Sequence, residues 1–197
     1  MTHTGLFKGL SEKFYDRIKP RLIKRIGRDI RLAHRIVDLG CGNCGLADYL
    51  AHTYAQEVTG VDISGKDFPK RRTKPRGAGK MRCVKADAGR LDFLENSSID
   101  AVVSFWALHE MPRSEAVLRE ARRVLRPGGQ ILVVEFPRGS LAGKLWNENY
   151  FTPEQITRML DDAGFVRVKC KEIERSQILW ISGQKKANPP RNAAADA

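Results

Sequence analysis

Residues 36–45 read Ile-Val-Asp-Leu-Gly-Cys-Gly-Asn-Cys-Gly, and this stretch decides the fold. An apolar run ends in a glycine-rich turn that leads into helical spacing, so the segment predicts a strand, a tight turn and a helix. Gly40, Gly42 and Gly45 form the G-x-G-x-x-G pattern, in which the backbone approaches a bound nucleotide closely. Asp62 ends the next apolar run, 22 residues after Gly40, where an acid can bind a ribose diol.

Asp38 bears on which cofactor the turn binds. It lies two residues before Gly40, at the mouth of the turn. A pyrophosphate such as that of NAD would face this carboxylate at close range, and like charges repel in a partly desolvated cleft. The same acid favours a cofactor with a cationic head and no phosphate. S-adenosylmethionine has that character.

The rest of the chain alternates between strand and helix patterns. Helical spacing occurs over Leu46–Tyr54 and Ser114–Leu125, and Thr152, with Gln155 three residues later, predicts a capped helix start. This alternation predicts a doubly wound α/β sheet that is mostly parallel. The last two strands lie six residues apart and must therefore be antiparallel. The seven predicted strands are Arg35–Leu39, Val58–Ile63, Met81–Ala86, Ile99–Trp106, Ile131–Phe136, Phe165–Cys170 and Gln177–Ser182.

The first residues predict a basic amphipathic region. Apolar residues recur every four positions from Leu6 to Ile30, and Pro20 is expected to divide the stretch into two helices. Such helices can contact a membrane or RNA, but packing against their own domain is favoured. We expect residues 1–33 to cover the cofactor cleft, residues 34–185 to form the catalytic domain, and residues 186–197 to be disordered.

Charge and composition limit the classes of protein to which this chain is expected to belong. The 197 residues carry 35 Lys and Arg against 23 Asp and Glu, a formal charge of +12. Residues 1–35 and residues 66–82 each carry +7, and the remainder of the chain carries −2. The prolines and glycines of 66–82 predict a mobile, exposed loop. No apolar run is long enough to span a bilayer, no secretory signal is visible, and four cysteines are too few for a disulfide framework. A cytoplasmic location is therefore expected.

Five segments in order resemble the class I S-adenosylmethionine-dependent methyltransferases, including those of quinone biosynthesis. The resemblance runs from about Tyr15 to Gln184. It implies a seven-stranded sheet of order 3-2-1-4-5-7-6 with the last strand antiparallel, S-adenosylmethionine as cofactor and S-adenosylhomocysteine as product. The matching segments are 37–42, 58–64, 85–88, 99–104 with 107–109, and 120–129.

The resemblance also implies roles for individual residues. Asp38 would orient the methionine ammonium group, and Asp62 would hold the ribose hydroxyls. Asp87 would accept a hydrogen bond from the adenine amino group, while the backbone of Ala88 reads the ring edge. The remaining residues expected to contact the cofactor are Gly40, Gly42, Ile63, Ser104 and Tyr15, and the last of these is equally interpretable as a core or surface tyrosine.

The cysteines depart from the family pattern. Cys44 stands where the family usually has its third glycine, so its Cβ is expected to crowd the methionine end of the cofactor or to shift the turn. Cys41 and Cys44 form C-x-x-C, a spacing that can bind metal or change redox state, although the cofactor turn is the favoured role and no metal is expected. Cys83 and Cys170 lie on predicted strands and are expected to be core residues.

His109 follows the fourth strand at the edge of the sheet where ligands bind, and it is the candidate general base. The alternative is a histidine that only packs in a loop. Trp106 is expected to form an aromatic wall, and Glu135 is a weaker polar candidate.

A small-molecule acceptor is favoured for this site. RNA, bound through residues 1–35 and 66–82, stays open as an alternative, although no separate RNA-binding module is visible. A non-catalytic S-adenosylmethionine-binding protein and an NAD-dependent oxidoreductase are further alternatives. No feature of the sequence predicts an oligomeric state.

Overall fold

The computed structural model describes residues 11–70 and 79–188. Within these residues, seven strands form one sheet of order β3-β2-β1-β4-β5-β7-β6. Strands β1 to β5 run parallel, and β7 is antiparallel to both of its neighbours. The predicted fold class and strand order are confirmed. The strands are β1 (Arg35–Leu39), β2 (Glu57–Asp62), β3 (Lys80–Lys85), β4 (Ile99–Phe105), β5 (Leu125–Glu135), β6 (Phe165–Ile173) and β7 (Ile178–Lys185).

Helices cover both faces of this sheet. The side chain of Ile36 packs with α1, α2 and α4 on one face, and that of its neighbour Val37 packs with α3 and α5 on the other. Successive strand residues point to opposite faces, so the buried central strands need apolar residues at every position. The helices are α1 (Glu12–Asp29), α2 (Gly45–Tyr54), α3 (Ser114–Val124), α4 (Leu141–Trp146) and α5 (Pro153–Asp162), with a 3-10 turn at Leu108–Glu110.

The N-terminal region corrects one prediction and confirms another. Pro20 does not divide it, because α1 continues as one helix through that residue. Pro20 lies on the exposed side of α1, where water can hydrogen-bond the carbonyl group that loses its helical partner. The apolar face, including Phe14, Ile18 and Leu22, is buried against the chain's own core, as predicted.

Some element boundaries differ from the predictions. Strand β5 begins at Leu125 rather than Ile131, so Pro127-Gly128-Gly129 lies within it, and its pairing with β4 shifts register near Ile99. Gly128 supports this irregular start with a φ of 79°. The capping box between Thr152 and Gln155 is confirmed, whereas the sequence did not predict the short helix α4.

Parts of both basic segments lie outside the described residues, which exclude 1–10, 71–78 and 189–197. The mobility predicted for 66–82 falls on those residues over 71–78, and the disorder predicted for 186–197 falls on them over 189–197. The prediction of a mobile loop is wrong at Arg82, because this residue lies in β3 and its side chain donates to Thr59 Oγ1 over 3.0 Å. In the described part of the chain, no helix has the length and apolar character to cross a membrane.

Candidate active site

The glycine turn after β1 presents bare backbone to a cleft. Gly40 and Gly42 have φ values of 71° and 51°, which glycine adopts without steric cost. A Cβ on Gly40 would clash with Ala107, whereas a Cβ on Gly42 would meet nothing within 4 Å. The Gly40 N–H group donates to the Val61 carbonyl over 2.8 Å, which ties the turn to β2. The turn is therefore fixed on one side and open on the other.

Three adjoining cavities form the cleft, and we name them by their positions. The strand-end cavity, of about 600 Å³, lies beyond β2 and β3, and the turn cavity, of about 540 Å³, lies against the glycine turn. The aromatic cavity, of about 350 Å³, lies between α1, α4 and the end of β5. Trp106 lines all three. It has a φ of 58°, a left-handed backbone conformation that is uncommon for a bulky residue and is often found at functional sites.

Asp38 lies in the turn cavity as a buried carboxylate. Its Oδ2 atom has no hydrogen-bond partner among the described residues. Burial, followed by the negative charge of Asp62, raises the pKa of Asp38 to about 7, and the Ala47 N–H group offsets only part of this rise. A buried acceptor without a partner is costly, so Asp38 fits a ligand that brings a donor or a positive charge.

Asp62 and Ile63 lie at the end of β2, in the strand-end cavity. The carboxylate of Asp62 accepts a hydrogen bond from Gly42 N–H at Oδ2 and one from Ser64 N–H at Oδ1, both over 2.9 Å. Asp62 therefore holds the glycine turn even before a ligand binds. The side chain of Ile63 is 69% exposed and gives this cavity an apolar wall.

The structure places the other predicted cofactor residues in different surroundings. Asp87 and Ala88 line the strand-end cavity with Asp62, and Asp87 Oδ2 forms an ion pair with Arg113 Nη2 over 2.6 Å. Ser104 is buried within β4 and is not among the residues that line the three cavities. Tyr15 lines the aromatic cavity rather than either cavity beside the turn.

His109 lies in the aromatic cavity between two carboxylates. Its Nδ1 atom is 2.8 Å from Glu135 Oε2, and its Nε2 atom is 2.9 Å from Glu148 Oε2. Glu135 is fully buried at the end of β5 and also accepts from Leu108 N–H over 2.8 Å. Burial lowers the pKa of His109, but the hydrogen bond and charge of Glu135 and the charges of Glu110 and Glu148 outweigh it, so the pKa is raised.

Comparison with known proteins gives the family. The family model for a methyltransferase domain matches residues 37–133, which include the glycine turn, Asp62, Asp87 and His109. This segment, about half of the chain, is a methyltransferase domain of the class I S-adenosylmethionine-dependent family. The fold agrees with this family: the chain superposes on 1,6-didemethyltoxoflavin-N1-methyltransferase from Burkholderia thailandensis with a TM-score of 0.63, at 20% identity, over 84% of this chain and 77% of that one.

Relatives with curated names act on several kinds of small molecule. The fatty-acid O-methyltransferase of Mycolicibacterium smegmatis is 38% identical over 104 residues, covering 51% of this chain and 36% of the relative. The ubiquinone/menaquinone biosynthesis C-methyltransferase UbiE of Azotobacter vinelandii is 34% identical over 133 residues, covering 62% of this chain and 51% of the relative. The chain thus spans about half or less of the length of these two relatives.

The cysteines of this methyltransferase domain differ from the sequence predictions. Cys44 and Cys83 are joined as a disulfide, so Cys83 is not a separate core thiol, and Cys41 Sγ lies 3.4 Å from Cys44 Sγ. Cys44 has a φ of 59°, the left-handed conformation that explains the glycine usual in the family at this position. Its sulfur lies under the turn near Gly60 and not on a cavity wall, so the side chain does not occupy the cleft.

Several residues of the aromatic cavity were missed by the sequence analysis. Trp146, Glu148 and Tyr150 lie in or just after α4, a segment for which the sequence analysis makes no prediction. The run of aromatic residues before α5 was the available signal. Tyr15 links α1 to this segment, because its hydroxyl accepts from Ala142 N–H over 2.9 Å.

Proposed function

We propose that this protein binds S-adenosylmethionine beside the glycine turn and transfers its methyl group to a small molecule in the aromatic cavity. One observation carries the proposal: Trp106 lines the strand-end, turn and aromatic cavities, so the cofactor and the acceptor would meet at one side chain. Methyl transfer needs this proximity, because alignment of the two reacting atoms supplies much of the rate enhancement.

The residues of the cleft fit the cofactor. The unpartnered Oδ2 atom of Asp38 would accept from its ammonium group, and the open side of Gly42 leaves room for close backbone approach. Asp62 would bind the ribose hydroxyls, and Asp87 with Ala88 would contact the adenine in the same cavity. When bound, the cofactor supplies a methyl group activated by a positively charged sulfur.

Three further side chains complete the cofactor assignments. Ile63 would cover the apolar face of the adenosine from its exposed position. Tyr15 belongs instead to the acceptor side, where its hydroxyl holds α4 in place. Ser104 lies behind the cavity walls in β4, so any effect on the cofactor would pass through the neighbouring backbone.

His109 is the proposed general base. Glu135 binds Nδ1 and orients the ring, which leaves Nε2 to accept a proton from the acceptor. In the structure, Glu148 contacts Nε2, so an acceptor must displace that carboxylate. Only the neutral ring can accept a proton, and the carboxylates raise the pKa of His109, so the rate should increase with pH through that pKa.

The alternatives to this function have less support. The curated relatives named above act on small molecules, and nothing in the comparisons favours RNA as the acceptor. The family match argues against an NAD-dependent oxidoreductase. A role other than methyl transfer needs an experiment to exclude it, because the fold also occurs in the [4+2]-cyclase SpnF, which superposes with a TM-score of 0.68 at 19% identity, over 85% of this chain and 81% of that one.

Calorimetric titration with S-adenosylhomocysteine, S-adenosylmethionine and NAD tests the cofactor assignment. We expect binding of the first two and none of NAD, and NAD binding alone would overturn the proposal. Formation of S-adenosylhomocysteine is then measured with a panel of small acceptors, with Glu135→Gln as a variant that perturbs His109. Turnover that Glu135→Gln does not change would remove the proposed base.

A further inference from the structure

The side chains that line the aromatic cavity favour a positively charged ligand. That this ligand is the methyl acceptor rests on the proposed function of the site. Among the described residues, five Phe, Tyr and Trp rings line the aromatic cavity. The ring centroids of Tyr15 and Trp146 are 5.2 Å apart, those of Trp146 and Phe136 are 5.3 Å apart, and those of Phe136 and Tyr150 are 5.2 Å apart. All three pairs are tilted or edge-on, so the ring faces are not all covered by stacking. An aromatic face attracts a cation through its quadrupole.

Carboxylates from separate elements converge on the same cavity. Glu12 and Asp16 lie one turn apart on α1, Glu110 follows β4, and Glu148 follows α4. Among the described residues that line the cavity, Lys19 is the one lysine and none is an arginine. The chain as a whole has a formal charge of +12, so this acidic lining opposes the general charge of the protein. An acidic, aromatic cavity in a basic protein favours entry of cations and disfavours anions.

We propose that the acceptor is a small organic cation, an amine or a quaternary ammonium compound, whose charge lies between the carboxylates and the aromatic rings of this cavity. The same lining repels free carboxylates, phosphates and nucleic acids. The acceptor of this protein therefore differs in charge from a fatty acid, the acceptor named for one of its relatives.

The depth of the carboxylates and of His109 in the cavity determines how the acceptor would be oriented there. Glu12 and Asp16 are exposed at the rim, whereas the His109 side chain is only 4% exposed. A cation held at the rim would extend its nucleophile inward to Nε2 of His109. Carboxylates at the rim also offset the loss of hydration when the charge enters the cavity.

A cation that cannot be methylated tests the proposal without any measurement of turnover. Benzyltrimethylammonium and the anion phenylacetate, which are similar in size, are titrated calorimetrically into the protein with and without S-adenosylhomocysteine. We expect the cation to bind at least about tenfold more tightly than the anion. Equal binding, or tighter binding of phenylacetate, would overturn the proposal. Failure of S-adenosylhomocysteine to bind would instead overturn the proposed function.

Matched variants locate the bound charge. Asp16→Asn combined with Glu12→Gln should weaken cation binding by about three- to tenfold, because two rim carboxylates are neutralised. Asp162→Asn, at an exposed position of α5 on the opposite face of the sheet, is the control and should change nothing. Trp146→Leu, which keeps an apolar side chain but removes a ring, should weaken binding of the cation and leave S-adenosylhomocysteine binding unchanged. Cation affinity that none of the cavity variants alters would overturn the proposal.

A metal ion is the competing occupant for part of the carboxylate cluster. Ligand atoms of His109, Glu110 and Glu148 lie within 4.8 Å of one another. Titration with Mn²⁺ alone tests this reading. Saturable binding of Mn²⁺ that displaces benzyltrimethylammonium would make these carboxylates metal ligands and would overturn the organic-cation proposal, whereas lack of such displacement supports it.

Discussion

Replacement of Asp38 by asparagine should raise stability while lowering cofactor affinity. Burial and the charge of Asp62 raise the pKa of Asp38 from 3.8 to about 7. At about 1.4 kcal/mol for each pKa unit, ionising this group in the folded protein costs about 4 kcal/mol more than ionising it in the unfolded chain.

The sign of this effect depends on pH. Below about pH 4 the carboxyl group is protonated in both states and the penalty is absent, whereas above pH 7 it is ionised in both and the full penalty applies. Asp38→Asn should therefore increase the free energy of unfolding by up to about 4 kcal/mol at pH 8 and by much less at pH 5. Urea denaturation of both proteins at these two pH values measures the difference.

Cofactor affinity should follow the same titration in the opposite sense. A cationic ammonium group binds the ionised carboxylate, so wild-type affinity for S-adenosylhomocysteine should fall by about tenfold for each pH unit below 7. Asp38→Asn loses a charge-assisted hydrogen bond of about 1.5–3 kcal/mol and should bind about ten- to a hundredfold more weakly above pH 7.

Calorimetric titration at pH 6, 7 and 8, in two buffers with different ionisation enthalpies, measures both the affinity and the protons released on binding. Release of about half a proton at pH 7 is the expected result, because Asp38 is then about half ionised before binding. Wild-type affinity that stays constant from pH 6 to pH 8 would refute the reasoning. Destabilisation by Asp38→Asn at pH 8 would refute it as well.

Three other substitutions test separate parts of the site. Asp62→Ala should weaken S-adenosylhomocysteine binding more than tenfold in calorimetry, since it removes the proposed acceptor of the ribose hydroxyls and the partner of Gly42 N–H. An unchanged affinity would contradict the proposed role of Asp62. Cys44→Gly should keep the fold and bind S-adenosylhomocysteine with equal or higher affinity, because glycine adopts a φ of 59° without steric cost. Cys44→Ala is the control, and a loss of affinity confined to the glycine variant would contradict this reasoning. Glu148→Gln should lower the pKa of His109 and shift the pH–rate profile to lower pH, and a profile that stays in place would exclude that base.

Local patterns in the sequence were enough to predict the strands of the sheet and the glycine turn, whereas the strand order followed from the family resemblance. The apolar strands, Gly40, Gly42 and the acids Asp38 and Asp62 are each close in sequence to the element they serve, so spacing alone indicated where they lie. The Thr152 capping box was predictable for the same reason, since its hydrogen bonds join residues three positions apart.

Only the tertiary structure decided what surrounds His109. Glu135 and Glu148 lie 26 and 39 positions after His109 along the chain. No helix or strand period relates residues so far apart, so the sequence pattern did not predict these contacts. The link between Cys44 and Cys83 depends in the same way on β3 lying beside β2. Continuation of α1 through Pro20 also depended on packing, because a proline on the solvent face leaves its lost hydrogen bond to water. Contacts between distant segments form only once hydrophobic burial has brought those segments together. A single sequence therefore predicts the strands and helices better than the contacts between them.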